Sequence, residues 1–266
     1  MNFYKKRSLG QHFLVDNNLS ARIVEAAVVG PNDTVIEIGP GRGALTQHFS
    51  SYNPKRVVLI DLDVRCCQEL RRHYPKYEVV NADAANFDLN SIAKDSDEQF
   101  VVVSNLPYNA STAILDNLIS SRGHIYRMVL MFQKEVAERV MAEPCNADYG
   151  RLTLLSKEFY DVKKLFILKP SAFSPPPKVD SMVVTLNRRA EPLFEILDRR
   201  FYDRLVKQVF SNRRKMLRRS LKGVVEPGIL DLIAADCGID LEKRPQDLDP
   251  KEFAKLANFI TSLNRQ

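Results

Sequence analysis

Five short, almost wholly apolar runs recur through the first half of the chain, at residues 33–38, 56–61, 77–80, 101–103 and 127–132. Each is too short for a buried helix and is followed by a stretch with helical spacing, as at 64 onward, 112–119 and 134–141. Runs without apolar–polar alternation are what a parallel sheet covered on both faces requires, because no face of the strand meets water. The pattern therefore predicts an α/β chain with a Rossmann-like, doubly wound sheet. Residues 163–169 and 182–187 read as two further strands. Pro175, Pro176 and Pro177 between them fit neither helix nor central strand and predict a rigid loop. Beyond Arg189 the periodicity becomes helical and is punctuated by Pro227, Pro245 and Pro250. A boundary near residue 190 follows, with a catalytic α/β domain at 1–190 and a small all-helical domain at 191–266.

The charge distribution narrows the partners. The 266 residues carry a formal net charge of +6. Between Arg199 and Lys222 there are ten Lys or Arg and one acid, a segment charge of +9, so the remainder sums to −3. One segment holds the whole excess, with Phe201, Tyr202 and Phe210 interleaved, which predicts a nucleic-acid surface. No apolar stretch approaches the roughly 20 residues that cross a bilayer. The N-terminal residues 1–7 lack an apolar core behind their charges and do not read as a secretory signal. Cys66, Cys67, Cys145 and Cys237 form no C-x-x-C pair, which suits neither a disulfide framework nor a zinc site, and no metal is expected. A cytoplasmic location is expected. With no heptad or large apolar surface signal, so is a monomer.

The strand ends carry the chemistry. Gly39-Pro40-Gly41-Arg42-Gly43 follows the first strand, where glycine lets a backbone approach a ligand closely. Asp61 ends the second strand, a place where a carboxylate commonly accepts ribose hydroxyls, and Asp83 follows the third. Asn105-Leu106-Pro107-Tyr108-Asn109 follows the fourth. An amide, a proline and a ring at one turn suit a planar amine, which wants acceptors at its edge and a flat surface against its face. The glycines also fit the dinucleotide fingerprint of NAD-dependent dehydrogenases. No hydride-transfer constellation accompanies them, and the amide–proline–aromatic turn argues for another reaction.

At this point the chain resembles the ribosomal RNA small-subunit adenine dimethyltransferases. The resemblance rests on Leu9-Gly10-Gln11-His12-Phe13-Leu14, Glu37-Ile38-Gly39-Pro40-Gly41, Asn105-Leu106-Pro107-Tyr108-Asn109, residues 172–181 around the triple proline, and residues 210–218. It implies S-adenosylmethionine as cofactor and small-subunit ribosomal RNA, within a 30S-type particle, as partner. It implies that His12, Leu14, Gly39, Asp61, Asp83 and Asn105 bind the cofactor. It implies catalytic roles for Asn105, Pro107 and Tyr108, with an exposed Phe173 closing over the target base from the proline loop. Arg213, Arg214, Lys215 and Arg218, on one arginine-rich helix, would contact RNA. Two other readings stay open: a large-subunit methylase of the antibiotic-resistance type, and an assembly factor whose binding outweighs its catalysis.

Overall fold

The computed structural model describes residues 12–264. A two-residue strand, β1 (Phe13–Leu14), precedes a helix at Asn17–Glu25 that starts where Asp16 accepts the Asn18 and Leu19 N–H groups, both at 3.0 Å. Then come β2 (Thr34–Ile38), β3 (Arg56–Asp61), the helix Val64–His73, β4 (Glu78–Asn81), β5 (Phe100–Asn105), the helix Ser111–Ser120 and β6 (Ile125–Gln133). Further on are β7 (Tyr160–Leu168), β8 (Phe173–Ser174) and β9 (Ser181–Arg188).

Seven of these strands form one sheet in the order β4-β3-β2-β5-β6-β9-β7. The run from β4 to β6 is parallel, while β9 pairs antiparallel with both β6 and β7. This is the α/β Rossmann-like sheet expected, with an antiparallel edge. Successive side chains of its strands point to opposite faces. One face holds Val35, Leu59, Val101, Val103, Val129 and Met131, packed in one cluster with Ile23 and Val24 of the first helix, Phe49 and Leu70. The alternate residues Ile36, Ile38, Val58, Ile60, Val102 and Leu130 are equally buried. At about 1.5–3 kcal/mol per fully buried aliphatic side chain, these runs are the main drive for forming the sheet.

Two compact units divide the chain. One comprises Met1–Ala137 and Tyr160–Arg188, the other Glu138–Phe159 and Arg189–Gln266. A single cut at residue 190 does not describe this division, because Tyr149 and Leu154 are buried with Phe201, Tyr202, Leu205, Phe253 and Leu256 in the core of the second unit. That unit contains the helices Arg151–Phe159, Arg199–Ser211, Leu217–Ser220, Pro227–Leu232 and Pro250–Leu263. Arg199, the first residue of the basic segment, is tied to the buried carboxylate of Glu158.

The last helix has a reciprocal cap: Asp249 accepts the Glu252 N–H and Glu252 accepts the Asp249 N–H, each at 2.9 Å. Pro250 at its start has no N–H to leave unpaired. We expect Asp249→Ala to cost the helical unit about 1 kcal/mol, read as a lower urea midpoint with an unchanged slope. An unshifted midpoint would show that this cap contributes nothing.

Candidate active site

The parallel ladders fix where the site lies. Ile38 pairs with both Ile60 and Ser104, and Asp61 pairs with Asn81, so β2, β3, β4 and β5 end at one level. The strand order reverses at β2, and open sheets of this kind take ligands in the crevice beyond their carboxyl ends at such a point. A cavity of about 290 Å³ lies there. Gly39, Asp61, Asp83 and Asn105 all line it, together with His12, Leu14, Pro107 and Tyr108. The structure thus brings together every cofactor residue expected from sequence. Leu9, Gly10 and Gln11 of the first motif lie outside the described residues.

Gly39 continues the β2–β3 ladder by donating to the Ile60 carbonyl at 2.9 Å, then turns with φ +66°. A Cβ there would point at the Asn105 carbonyl and Pro107 Cδ, both 3.6 Å away, and fill the approach to the next turn. At Gly41 (φ +55°) a Cβ would stand 2.9 Å from the Phe13 ring, so only glycine fits. After the glycine loop the chain forms a short 3-10 helix, Thr46–Tyr52. That weakens any role for a helix dipole.

Asp61 is buried and braces the loop. Its carboxylate accepts the Gly41 N–H at 3.0 Å and the Asp63 N–H at 2.8 Å. Burial pushes its pKa up, and these two backbone donors oppose the shift. Asp83 is exposed and accepts the Ala85 N–H at 3.0 Å and the Asn86 amide at 2.8 Å. Glycine backbone that admits close approach, with carboxylates at successive strand ends, fits a ligand that carries a ribose.

The turn after β5 is held from distant parts of the chain. Asn105 donates its amide to the His12 carbonyl at 3.2 Å, which leaves its side-chain oxygen as an acceptor. The Pro107 carbonyl accepts from the Ala110 N–H at 3.0 Å and the Tyr108 carbonyl from the Ser111 hydroxyl at 3.2 Å. Tyr108 shares a 2.5 Å hydrogen bond with buried Ser181 and stacks on His12 with ring centroids 5.4 Å apart. His12 in turn donates from Nδ1 to the Pro175 carbonyl at 2.8 Å.

Phe173 departs from expectation. It is only 3 % exposed and packs in the core, because β8 pairs antiparallel with β1 and sets Phe173 opposite Leu14. Ser174, not Phe173, lines the cavity. An exposed ring closing over a base is therefore not what residue 173 supplies.

The basic segment also differs from one continuous arginine-rich helix. The helix Arg199–Ser211 stops at Asn212, and Arg213, Arg214 and Lys215 sit in the connection before Leu217–Ser220. Arg213 donates to the Ala147 carbonyl. Arg218 lies 3.5 Å from Asp231 and 3.6 Å from Glu242. Arg214 and Lys215 are exposed, as are Arg200, Arg204 and Lys207, which share one face of the preceding helix at i, i+4, i+7 spacing.

Sequence reasoning gave no role to Glu37, although it is the one acid in the fully buried strand β2. Glu37 lines the cavity, is 1 % exposed and accepts the Thr46 hydroxyl at 2.6 Å. Phe13 and Arg42 also line the cavity, and Ser181 supports Tyr108; all three lie inside motifs legible in the sequence, which assigned them no role of their own.

The sheet order and the cavity at its reversal define a Rossmann-like fold with a crevice at the place where such sheets take ligands. A model of the family "Ribosomal RNA adenine dimethylase" matches residues 2–262, and the chain belongs to that family of rRNA adenine dimethyltransferases. Similar curated proteins include "Ribosomal RNA small subunit methyltransferase A" of Geobacter metallireducens, 37 % identical over 97 % of this chain and 96 % of that one. The protein of the same name from Afipia carboxidovorans is 41 % identical over 98 % and 93 %. Among solved structures, a dimethyladenosine transferase from Plasmodium falciparum superposes with TM-score 0.76 at 29 % identity, covering 96 % of this chain and 98 % of that one. The 23S rRNA methyltransferase ErmE gives 0.67 at 28 %, covering 94 % and 99 %.

Burial pushes the Glu37 carboxyl up to about 8, against the Thr46 hydrogen bond and with the help of the nearby Asp61 charge. In the unfolded chain this carboxyl ionises near 4.5, while in the fold it keeps its proton up to about 8. The folded state binds more protons across that window, so Glu37 makes stability decline as pH rises through it, by at most about 1.4 kcal/mol per pH unit. Glu37→Gln removes this contribution. Unfolding midpoints of the variant should gain on the parent between about pH 5 and about pH 8, and a constant difference would contradict the assignment.

Proposed function

We propose that the protein transfers methyl groups from S-adenosylmethionine to N6 of two adjacent adenosines in the 3′-terminal hairpin of small-subunit (16S) ribosomal RNA, presented in a 30S-type particle. The observation that carries this reading is that Gly39, Asp61, Asp83 and Asn105, on four strand ends, line one cavity. Family membership and the small-subunit names of the curated relatives support the substrate. The enzyme acts as a monomer in the cytoplasm. Among the described residues no helix is long and apolar enough to cross a membrane.

Asp83 binds the adenine amine and Asp61 the ribose hydroxyls of the cofactor, which line up along the ends of β4 and β3. His12 and Leu14 would help to hold it, and Gly39 would admit its close approach to the loop after β2. When bound, S-adenosylmethionine supplies an electrophilic methyl group on a sulfonium. The side-chain oxygen of Asn105 and the Leu106 carbonyl accept hydrogen bonds from the N–H groups of the target amine. Its lone pair, otherwise delocalised into the purine, is thereby turned towards the methyl carbon. Pro107 fixes the backbone of that turn. In-line positioning supplies on the order of 7–11 kcal/mol of the barrier reduction. Tyr108 offers the face turned away from His12 to a base drawn out of its helix, a contact of roughly 1–3 kcal/mol.

The test is incubation with labelled methyl donor and unmethylated small subunits, followed by mapping of the label. Label on N6 of the two hairpin adenosines supports the reading; label on large subunits alone would favour the alternative. Asn105→Ala should lower the methylation rate at least about a hundredfold with the fold intact. Tyr108→Phe should retain most activity, since it keeps the ring and loses only the Ser181 bond, while Tyr108→Ala should not. Rates like that of the parent for all three would remove this turn from the mechanism.

The basic residues Arg213, Arg214, Lys215 and Arg218, with Arg200, Arg204 and Lys207, contact RNA phosphates. Replacing Arg204, Lys207, Arg214 and Lys215 with alanine should weaken RNA binding. It should also flatten the slope of log affinity against log salt by about 0.7–0.9 per lost contact. Unchanged affinity and slope would make the segment a solvated surface only.

A further inference from the structure

Resting on the S-adenosylmethionine reading above, we propose that Asn117 is a positioning residue for the adenine of the cofactor, acting through the turn that carries Asp83. The Asp83 carboxylate is exposed and accepts from the Ala85 N–H and the Asn86 amide, both within its own turn. That turn leaves β4, an outer strand of the sheet with β3 as its one neighbour. On the β3 side it is tied by the Ala82 N–H, which donates to the Asp61 carbonyl at 3.1 Å. On the other side no strand continues the ladder, so the placement of Asp83 needs a tether from elsewhere in the chain.

Asn117 supplies that tether. Its half-buried side-chain amide donates to the Ala84 and Phe87 carbonyls, each at 2.8 Å, so both N–H groups of one nitrogen clamp the turn. Ala84 directly follows Asp83 and is buried in the cavity wall. Ile114, three residues before Asn117 and so on the same side of its helix, lines the same cavity. That helix, Ser111–Ser120, starts just after the Asn105–Asn109 turn. One element therefore follows the amine-binding turn at its start and holds the adenine-binding turn from its flank. Without the clamp the adenine loses a fixed acceptor, whereas Asn105 and Tyr108 keep their own ties to His12 and Ser181. A serine here would offer one donor and a shorter reach, and an aspartate would set acceptors against two carbonyls.

The experiment compares S-adenosylhomocysteine with an analogue in which hydrogen replaces the adenine amine. The analogue keeps the ribose, the thioether and the amino-acid arm. Titration calorimetry measures both with the full-length parent, D83A, N117A and the double variant. The parent should prefer S-adenosylhomocysteine about tenfold, as expected for a hydrogen bond to a charged acceptor. N117A should lose most of that preference, with the analogue bound within about twofold of the parent. In the double variant N117A should add less than about twofold to the loss from D83A, because both act on one contact. Methylation of small subunits by N117A should show a raised KM for the methyl donor, with kcat within about twofold of the parent. N117Q keeps the amide but displaces it by one methylene; it should show the same selective loss at smaller size, and it carries the test if N117A does not fold. Equal loss for both ligands, or an N117A loss that adds in full to that of D83A, would mean that Asn117 serves the fold alone. No loss for either ligand would mean that the turn stands without it; each of these results overturns the inference. A parent that binds both ligands equally well also overturns the inference while leaving the cofactor reading intact. A parent that binds neither removes the cofactor reading and the inference with it.

Discussion

The level ending of four parallel strands is the constraint on which the site depends. Ile38 stands opposite Ile60 on one side and Ser104 on the other, and Asp61 stands opposite Asn81. Loops leaving β2, β3, β4 and β5 therefore start from one edge. Reversal of strand order at β2 opens a crevice between the glycine loop and the Asn105 turn. Burial of β2, β3 and β5 on both faces holds that geometry. Ser104 adds a direct tie by donating its hydroxyl to the Ile38 carbonyl at 2.6 Å.

Within the crevice the polar groups are oriented by partners far away in sequence. Asn105 is tied to the carbonyl of His12, Tyr108 to Ser181, and His12 to the carbonyl of Pro175. Donors and acceptors held this way need little reorganisation during reaction, which is how such a site lowers a barrier. The two acids at the edges differ in kind. Asp61 is buried and fixed by two backbone N–H groups, whereas Asp83 stays exposed and braces only its own turn. Glu37 is the third acid, sealed beneath the loop and holding its proton up to about 8.

Strands and their ends were legible because apolar runs without alternation carry a strong signal, and β3 and the helix Val64–His73 begin where the pattern begins. The β1–β8 pairing was not legible: two-residue strands have no periodicity, and their partners lie about 160 residues apart. That missing pairing is what placed Phe173 on the surface in the reading and in the core in the fold. The break after Ser211 was hidden because Arg and Lys are good helix formers, while Asn212 ends the helix by local geometry. The membership of Glu138–Phe159 in the helical unit depends on the packing of Tyr149 and Leu154, which no local pattern encodes.

The central claim is that one ligand spans the ends of β2 to β5. A crystal structure with S-adenosylhomocysteine tests it most directly. The account predicts a ligand lying along Gly39, with its ribose on Asp61, its adenine amine on Asp83 and its sulfur turned towards Asn105. A ligand bound elsewhere, or one that leaves Asp61 and Asn105 untouched, would contradict it.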